Sequence, residues 1–386
     1  MFKGNSKLKN IFLLGFLLSL HLALVSYVNS SFLTTFSGEN SVSLIYIIGS
    51  AAALFVLFYI PGILQKLGEY KFLLWSSGLN ALTLLLLSIL KSPLGIIPVF
   101  ILYFTLNYLM VFALDELLQI FSKNSSMGQV RGLYLTIINL AWVISQAVSG
   151  ETLSGFSYSA LYFVAFMITG IFFLVVFLGL KDISDPKYDK VVALQSYKNF
   201  FKNKNLIRAY FLNFLLQFFY ASMVIYTPIY LYSHLGFDWK QIGIIFTIML
   251  LPFVIIQFPL GKYSDKVGER KMLAIGFLIT SIATISLFFI KNNELWIWAT
   301  LLFSTRVGAA IIEVMSDIYF FKHITSENDE FIAVYRNTAP LSYLLAPLVA
   351  LVIFMVTPSF NYIFLILGIL MLCGTYLSLS IKKDDI

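Results

Sequence analysis

Arg306 has the placement that most demands a chemical account. It lies about eleven residues into an apolar run, residues 295–321, that is long enough to cross a bilayer and holds no other lysine or arginine. A guanidinium at that depth has to face protein or water. It can grip a carboxylate or phosphate through two parallel N–H···O bonds, or tune a neighbouring acid; the plainer alternative is an ion pair that ties two helices together. Glu313 follows seven residues on, on nearly the same helical stripe but about 10 Å further along the axis, so a direct pair within one helix is not expected. Glu313 and Asp317 are i, i+4 neighbours on one face. Two carboxylates that close, partly buried, favour a proton held on one of them, which is the chemistry of a proton carrier.

Other apolar runs carry isolated polar residues: His21 in 10–36, Asn107 in 95–122, and Gln217 with Tyr220 in 206–232. His21 is either a proton relay or a helical histidine bonded to a neighbouring helix. Asn107, Gln217 and Tyr220 either donate hydrogen bonds to a solute or glue helices to one another. Together with Arg306 they form the candidate solute-binding set, with Glu313 and Asp317 as the proton-coupling candidates. Asp115 and Glu116 end the 95–122 run near the interface, where a structural role is the simpler reading. Pro228, Pro252, Pro259, Pro340 and Pro347 interrupt runs and supply bends.

The elements that position these residues follow from composition. The chain has 386 residues, 59% hydrophobic and 12% charged, with a mean hydropathy of +0.88, outside the range of soluble domains. Twelve spans are predicted: 10–36, 41–65, 71–90, 95–122, 130–150, 158–180, 206–232, 239–261, 271–291, 295–321, 332–356 and 360–381. With both termini cytoplasmic, every lysine and arginine falls on the inner side except Lys91, Lys240, Lys291 and the intramembrane Arg306. The net charge of +7 is thereby accounted for as a topology signal, and no nucleic-acid partner is expected. The run from Ile11 to Phe36 is too long for a signal-peptide core and is read as a retained first span. One cysteine, Cys373, excludes an internal disulfide, and His21, His234 and His323 are too scattered to propose a metal site.

One long loop, 181–205, separates the sixth and seventh spans and divides the chain into 1–180 and 206–386. Val191, Leu194, Tyr197 and Phe201 recur in it at helical spacing among lysines, predicting an amphipathic helix on the inner leaflet surface. Two charged turns mark an internal repeat. Gly261-Lys-Tyr-Ser-Asp265-Lys266-Val-Gly268-Glu269-Arg270-Lys271 is echoed 200 residues earlier by Gln65-Lys66-Leu-Gly68-Glu69-Tyr70-Lys71.

Two six-span halves, each with a charged glycine turn after its second span, resemble the major facilitator superfamily over essentially the whole chain. The resemblance implies an all-α membrane fold of twelve helices in two pseudo-symmetric six-helix bundles. It implies that the loop with Gly261, Asp265, Gly268, Arg270 and Lys271 braces a cytoplasmic gate. Asp265 is then placed near Gly128–Arg131, and Arg270 pairs with Asp317. The first-half copy departs from the pattern at Pro61, Gln65 and Tyr70 and retains Gly68, which weakens the mirror-image latch. The resemblance also makes the first, fourth, seventh and tenth spans line a central cavity, where His21, Asn107, Gln217, Tyr220 and Arg306 fall.

No phosphate-binding glycine loop, serine nucleophile elbow or H-E-x-x-H sequence is present, which disfavours ATP-driven pumping and gives no support to an enzyme. The expectation is a secondary transporter in the cell membrane, driven by a proton or solute gradient, with efflux slightly favoured over uptake of an anionic metabolite or sugar derivative. A transporter-like sensor or assembly factor that no longer cycles is the expectation of another class. The expected partners are a small-molecule solute, protons and membrane lipid; the working unit is a monomer without cofactor or metal.

Overall fold

The computed structural model describes residues 6–122, 127–181, 193–257, 260, 268–324 and 330–381, and every regular element among them is helical. In hydrocarbon each backbone N–H and C=O has to be satisfied within its own segment, and a continuous helix does that. Among the described residues, eleven helices are long and apolar enough to cross a membrane, and Trp239–Ile255 is a shorter apolar helix. The chain folds into two compact units, Met1–Asp189 and Lys190–Ile386, with the boundary inside the 181–205 loop.

The first unit comprises α1 (Ser6–Ser26), α2 (Asn29–Ser37), α3 (Glu39–Leu67), α4 (Glu69–Ile89), α5 (Pro93–Ser122), α6 (Met127–Gly155) and α7 (Tyr158–Gly179). The run predicted as one span over 10–36 is broken at Tyr27–Val28. Polar groups at the break are used locally: Ser26 donates to the Leu22 carbonyl, and Asn29 accepts from the Tyr162 hydroxyl at 2.7 Å. α1 packs against α5, α6 and α7. Ser145 and Gln146 of α6 donate to the Leu20 and Ala23 carbonyls of α1, both at 2.9 Å.

The second unit comprises α8 (Ala193–Phe200), α9 (Lys204–Ile229) with a π-helical turn at Tyr230–His234, α10 (Trp239–Ile255), α11 (Glu269–Phe289), α12 (Leu295–Lys322), α13 (Glu330–Arg336), α14 (Thr338–Val356) and α15 (Tyr362–Leu379). Asn203 caps α9 by accepting from the Asn205 and Leu206 amides, and Asp238 with Gln241 forms a reciprocal capping box on α10. The predicted span 332–356 is split at Asn337. Pro340 explains the split, since its ring excludes the carbonyl four residues back, that of Arg336, from a continuous helix.

Part of the apolar face of α8 rests on protein. Phe200 is fully buried, with its ring 5.6 Å from Phe331, 6.0 Å from Tyr210 and 6.3 Å from Phe320, and Tyr197 bonds Asn337. Phe201, the last of the four apolar residues read at helical spacing, follows the end of the helix and is 39% exposed.

α12 is the scaffold of the site. It packs against α9, α10 and α11. Its crossing with α11 is close enough that a Cβ on Gly308 would collide with the Gly276 carbonyl and the Thr280 hydroxyl. Small residues let membrane helices approach this closely, and the approach fixes the rotation of α12 around Arg306, two residues before Gly308.

Candidate functional site

Arg306 is 1% exposed and is covered by two consecutive residues of α9. Its guanidinium carbon stands 5.0 Å from the ring centroid of Phe219 and 5.4 Å from that of Tyr220. Both are cation–π distances, and burial strengthens the attraction. The Tyr220 hydroxyl donates to Glu313 Oε2 at 3.2 Å, and Gln257 Nε2 donates to the same oxygen at 3.1 Å. One tyrosine thus spans the two-turn gap on α12 between the guanidinium and the carboxylate. Gln257, just beyond α10, was not among the expected residues. It is the single amide in the apolar run from Ile242 to Leu260, which was the available signal.

Asp317 lies one turn beyond Glu313. It accepts from the Tyr335 hydroxyl at 3.0 Å and faces Arg336 at 3.9 Å. The partner expected for it was Arg270; the break at Asn337 instead brings the C-terminal end of α13 to it. Both side chains of the observed pair are partly exposed, so the pair contributes little to stability.

Of the gating motif, Gly261 and Asp265 lie outside the described residues, as do the side chains of Gln65 and of Arg131, the latter near the expected position of Asp265. Gly68 and Gly268 have φ of +74° and +79° and precede the first residues of α4 and α11. That backbone region favours glycine, and the two turns of the repeat share it. Arg270 is partly buried and Lys271 exposed in the first turn of α11. The buried acid of this turn is Glu269, 1% exposed and paired with Lys322 at 2.5 Å. Its equivalent in the first unit, Glu69, is likewise buried.

In the first unit the structure brings together His21 and Asn107, and adds Asn80. His21 Nε2 lies 3.2 Å from Asn107 Oδ1, and Asn80 Nδ2 donates to the same oxygen at 2.8 Å. All three are buried, joining α1, α4 and α5. Asn80 is the sole amide of its apolar run, a signal of the same kind as Gln257. Gln217 is half-buried on α9, one turn before Tyr220.

Residues 240–385 match the model of the Major Facilitator Superfamily. The structure superimposes on a point mutant of the nucleoside transporter NupG with a TM-score of 0.78 and 15% identity, covering 98% of this chain and 100% of that one. NupG itself gives 0.75 at 14% identity over the same shares, and a structure of a proton-dependent oligopeptide transporter gives 0.75 at 13%, covering 97% and 98%. A Chlamydia trachomatis protein named "Probable hexose phosphate transport protein" is 31% identical over 106 residues; the match spans 28% of this chain and only 22% of that relative. The fold is that of helical membrane proteins with apolar spans. Residues 240–385 thus resemble the Major Facilitator Superfamily, and over nearly its whole length the chain shares the fold of these solved transporter structures.

Proposed function

We propose that this chain moves a small anionic organic solute across the cell membrane by alternating access, coupled to a proton. Residues 1–180 and 206–386 act as the two bundles, 181–205 is the linker, and both termini are cytoplasmic. The observation that carries the reading is the pair of opposite charges on one inward stripe of α12, Arg306 and Glu313, bridged by Tyr220. Arg306 holds the solute's anionic group, Glu313 carries the proton, and Gln257 orients the acid. The name of the Chlamydia relative, which concerns hexose phosphate, is consistent with an anionic solute.

The sequence leans towards efflux. The geometry favours uptake instead, because protonating Glu313 adds one positive charge to a cluster that already holds a guanidinium, so anion and proton enter together. His21, Asn107 and Asn80 serve as interhelical glue in this reading.

A thermal-shift screen of purified wild type and Arg306→Ala against phosphate esters, carboxylates, nucleosides and neutral sugars tests the proposal. The expected result is stabilisation of the wild type by anionic solutes, lost in the variant. Equal responses to neutral solutes, or responses that survive Arg306→Ala, would contradict it. A transporter-like sensor would bind in the screen yet move nothing in liposomes.

A further inference from the structure

Arg306 is almost completely buried, so an anion reaches it only if something covering it moves. Phe219 is fully buried in the helix packing, whereas Tyr220 is only partly buried, which leaves Tyr220 as the cover that can be displaced. The displaceable ring is tethered at its other end, through the hydroxyl, to Glu313 Oε2. Building on the function proposed above, we infer that Tyr220 is a latch that keeps Arg306 closed while Glu313 is ionised and uncovers it when Glu313 takes up a proton.

The chemistry of the two states follows from the shared oxygen. A hydroxyl donating to a carboxylate makes a charge-assisted bond, about twice as strong as one to a neutral acceptor. When Glu313 is protonated, the tether of Tyr220 weakens and the acid gains a donor of its own. The amide oxygen of Gln257 can accept that proton's hydrogen bond, so the acid stays in place while the tyrosine is released. The same proton raises the charge of the cluster by one, which draws an anion towards the exposed guanidinium. Other charged or titratable groups around Glu313 are Asp317 one turn on along α12, and Tyr335 and Arg336 at the α13–α14 break, which engage Asp317.

The test uses the full chain in lipid nanodiscs with glucose 6-phosphate and inorganic phosphate as probes, comparing wild type, Tyr220→Phe, Glu313→Gln and Arg306→Ala from acidic to alkaline pH. Wild-type binding is expected to strengthen on acidification. Tyr220→Phe keeps the ring and loses the tether, so its binding should keep only the shallower pH dependence of the charge effect and at alkaline pH exceed that of the wild type about tenfold. Binding that depends on Arg306 but keeps the wild-type pH profile in Tyr220→Phe overturns the latch and leaves the transport reading standing. If neither probe binds, or Arg306→Ala binds as well as wild type, the anionic-solute reading fails. The latch is then judged by fluorine NMR of 3-fluorotyrosine at position 220. A resonance that moves with pH and sits at its acidic position in Glu313→Gln upholds it, and one that pH does not move overturns it.

Discussion

The two units each bury a polar cluster among apolar helices, but the clusters differ in charge. His21, Asn80 and Asn107 meet at one amide oxygen, and none of the three needs a formal charge to make its bond. Arg306, Tyr220, Gln257 and Glu313 place opposite charges two turns apart on one helix and join them through a tyrosine. A neutral cluster of amides and imidazole has one good arrangement and holds helices at a fixed crossing. A charged cluster has two, because adding a proton changes both its hydrogen-bond strengths and its net charge. The N-terminal cluster thus resembles a rivet and the C-terminal one a switch.

The contrast can be broken most sharply at Arg306. Arg306→Ala should lower affinity for an anionic solute by about a hundredfold, the order expected for losing a bidentate charged contact, with elution on size exclusion unchanged; equilibrium binding checks it. Glu313→Gln should abolish accumulation driven by an imposed pH gradient while leaving solute counterflow intact, measured in proteoliposomes. His21→Ala should do the reverse. It removes a buried ring and one of the two partners of the Asn107 amide oxygen in the N-terminal unit and should cost about 1–3 kcal/mol of stability, read as a lower unfolding midpoint, with the pH dependence of transport unmoved. Lys322→Ala strands the buried Glu269, yet the lysine is half exposed and water can enter, so about 1–2 kcal/mol is expected in the same assay. The smallest effect belongs to Gln257→Leu, a several-fold change in the proton dependence of transport with little change in solute affinity. A Gln257→Leu protein with the wild-type pH profile would remove the amide from the switch.

The fold was legible because hydrocarbon leaves few options to an apolar chain: span length, the charge bias of the loops and the repeated turn around Gly68 and Gly268 all depend on local sequence. The breaks at Tyr27–Val28 and Asn337 were harder, since apolar runs continue across both. The Asn337 break depends on a backbone clash of Pro340, which was read only as a bend. In the site, Arg306 and Glu313 stood out through their charge alone. Their relation to Tyr220 did not, because which α9 residue lies over Arg306 is set by the Gly276–Gly308 crossing and by helix rotation, which periodicity leaves open. The partner of Asp317 was misplaced for the same reason: the break at Asn337 puts Arg336 beside it.

The most direct test of the central claim is proton movement with solute. Proteoliposomes containing a lumenal pH dye are given an inward gradient of an anionic solute identified in the thermal-shift screen. The wild type should acidify the lumen as solute enters, and Glu313→Gln should admit solute by counterflow without acidification. Equal acidification by the two proteins would show that the proton travels by another group and would contradict the assignment of Glu313.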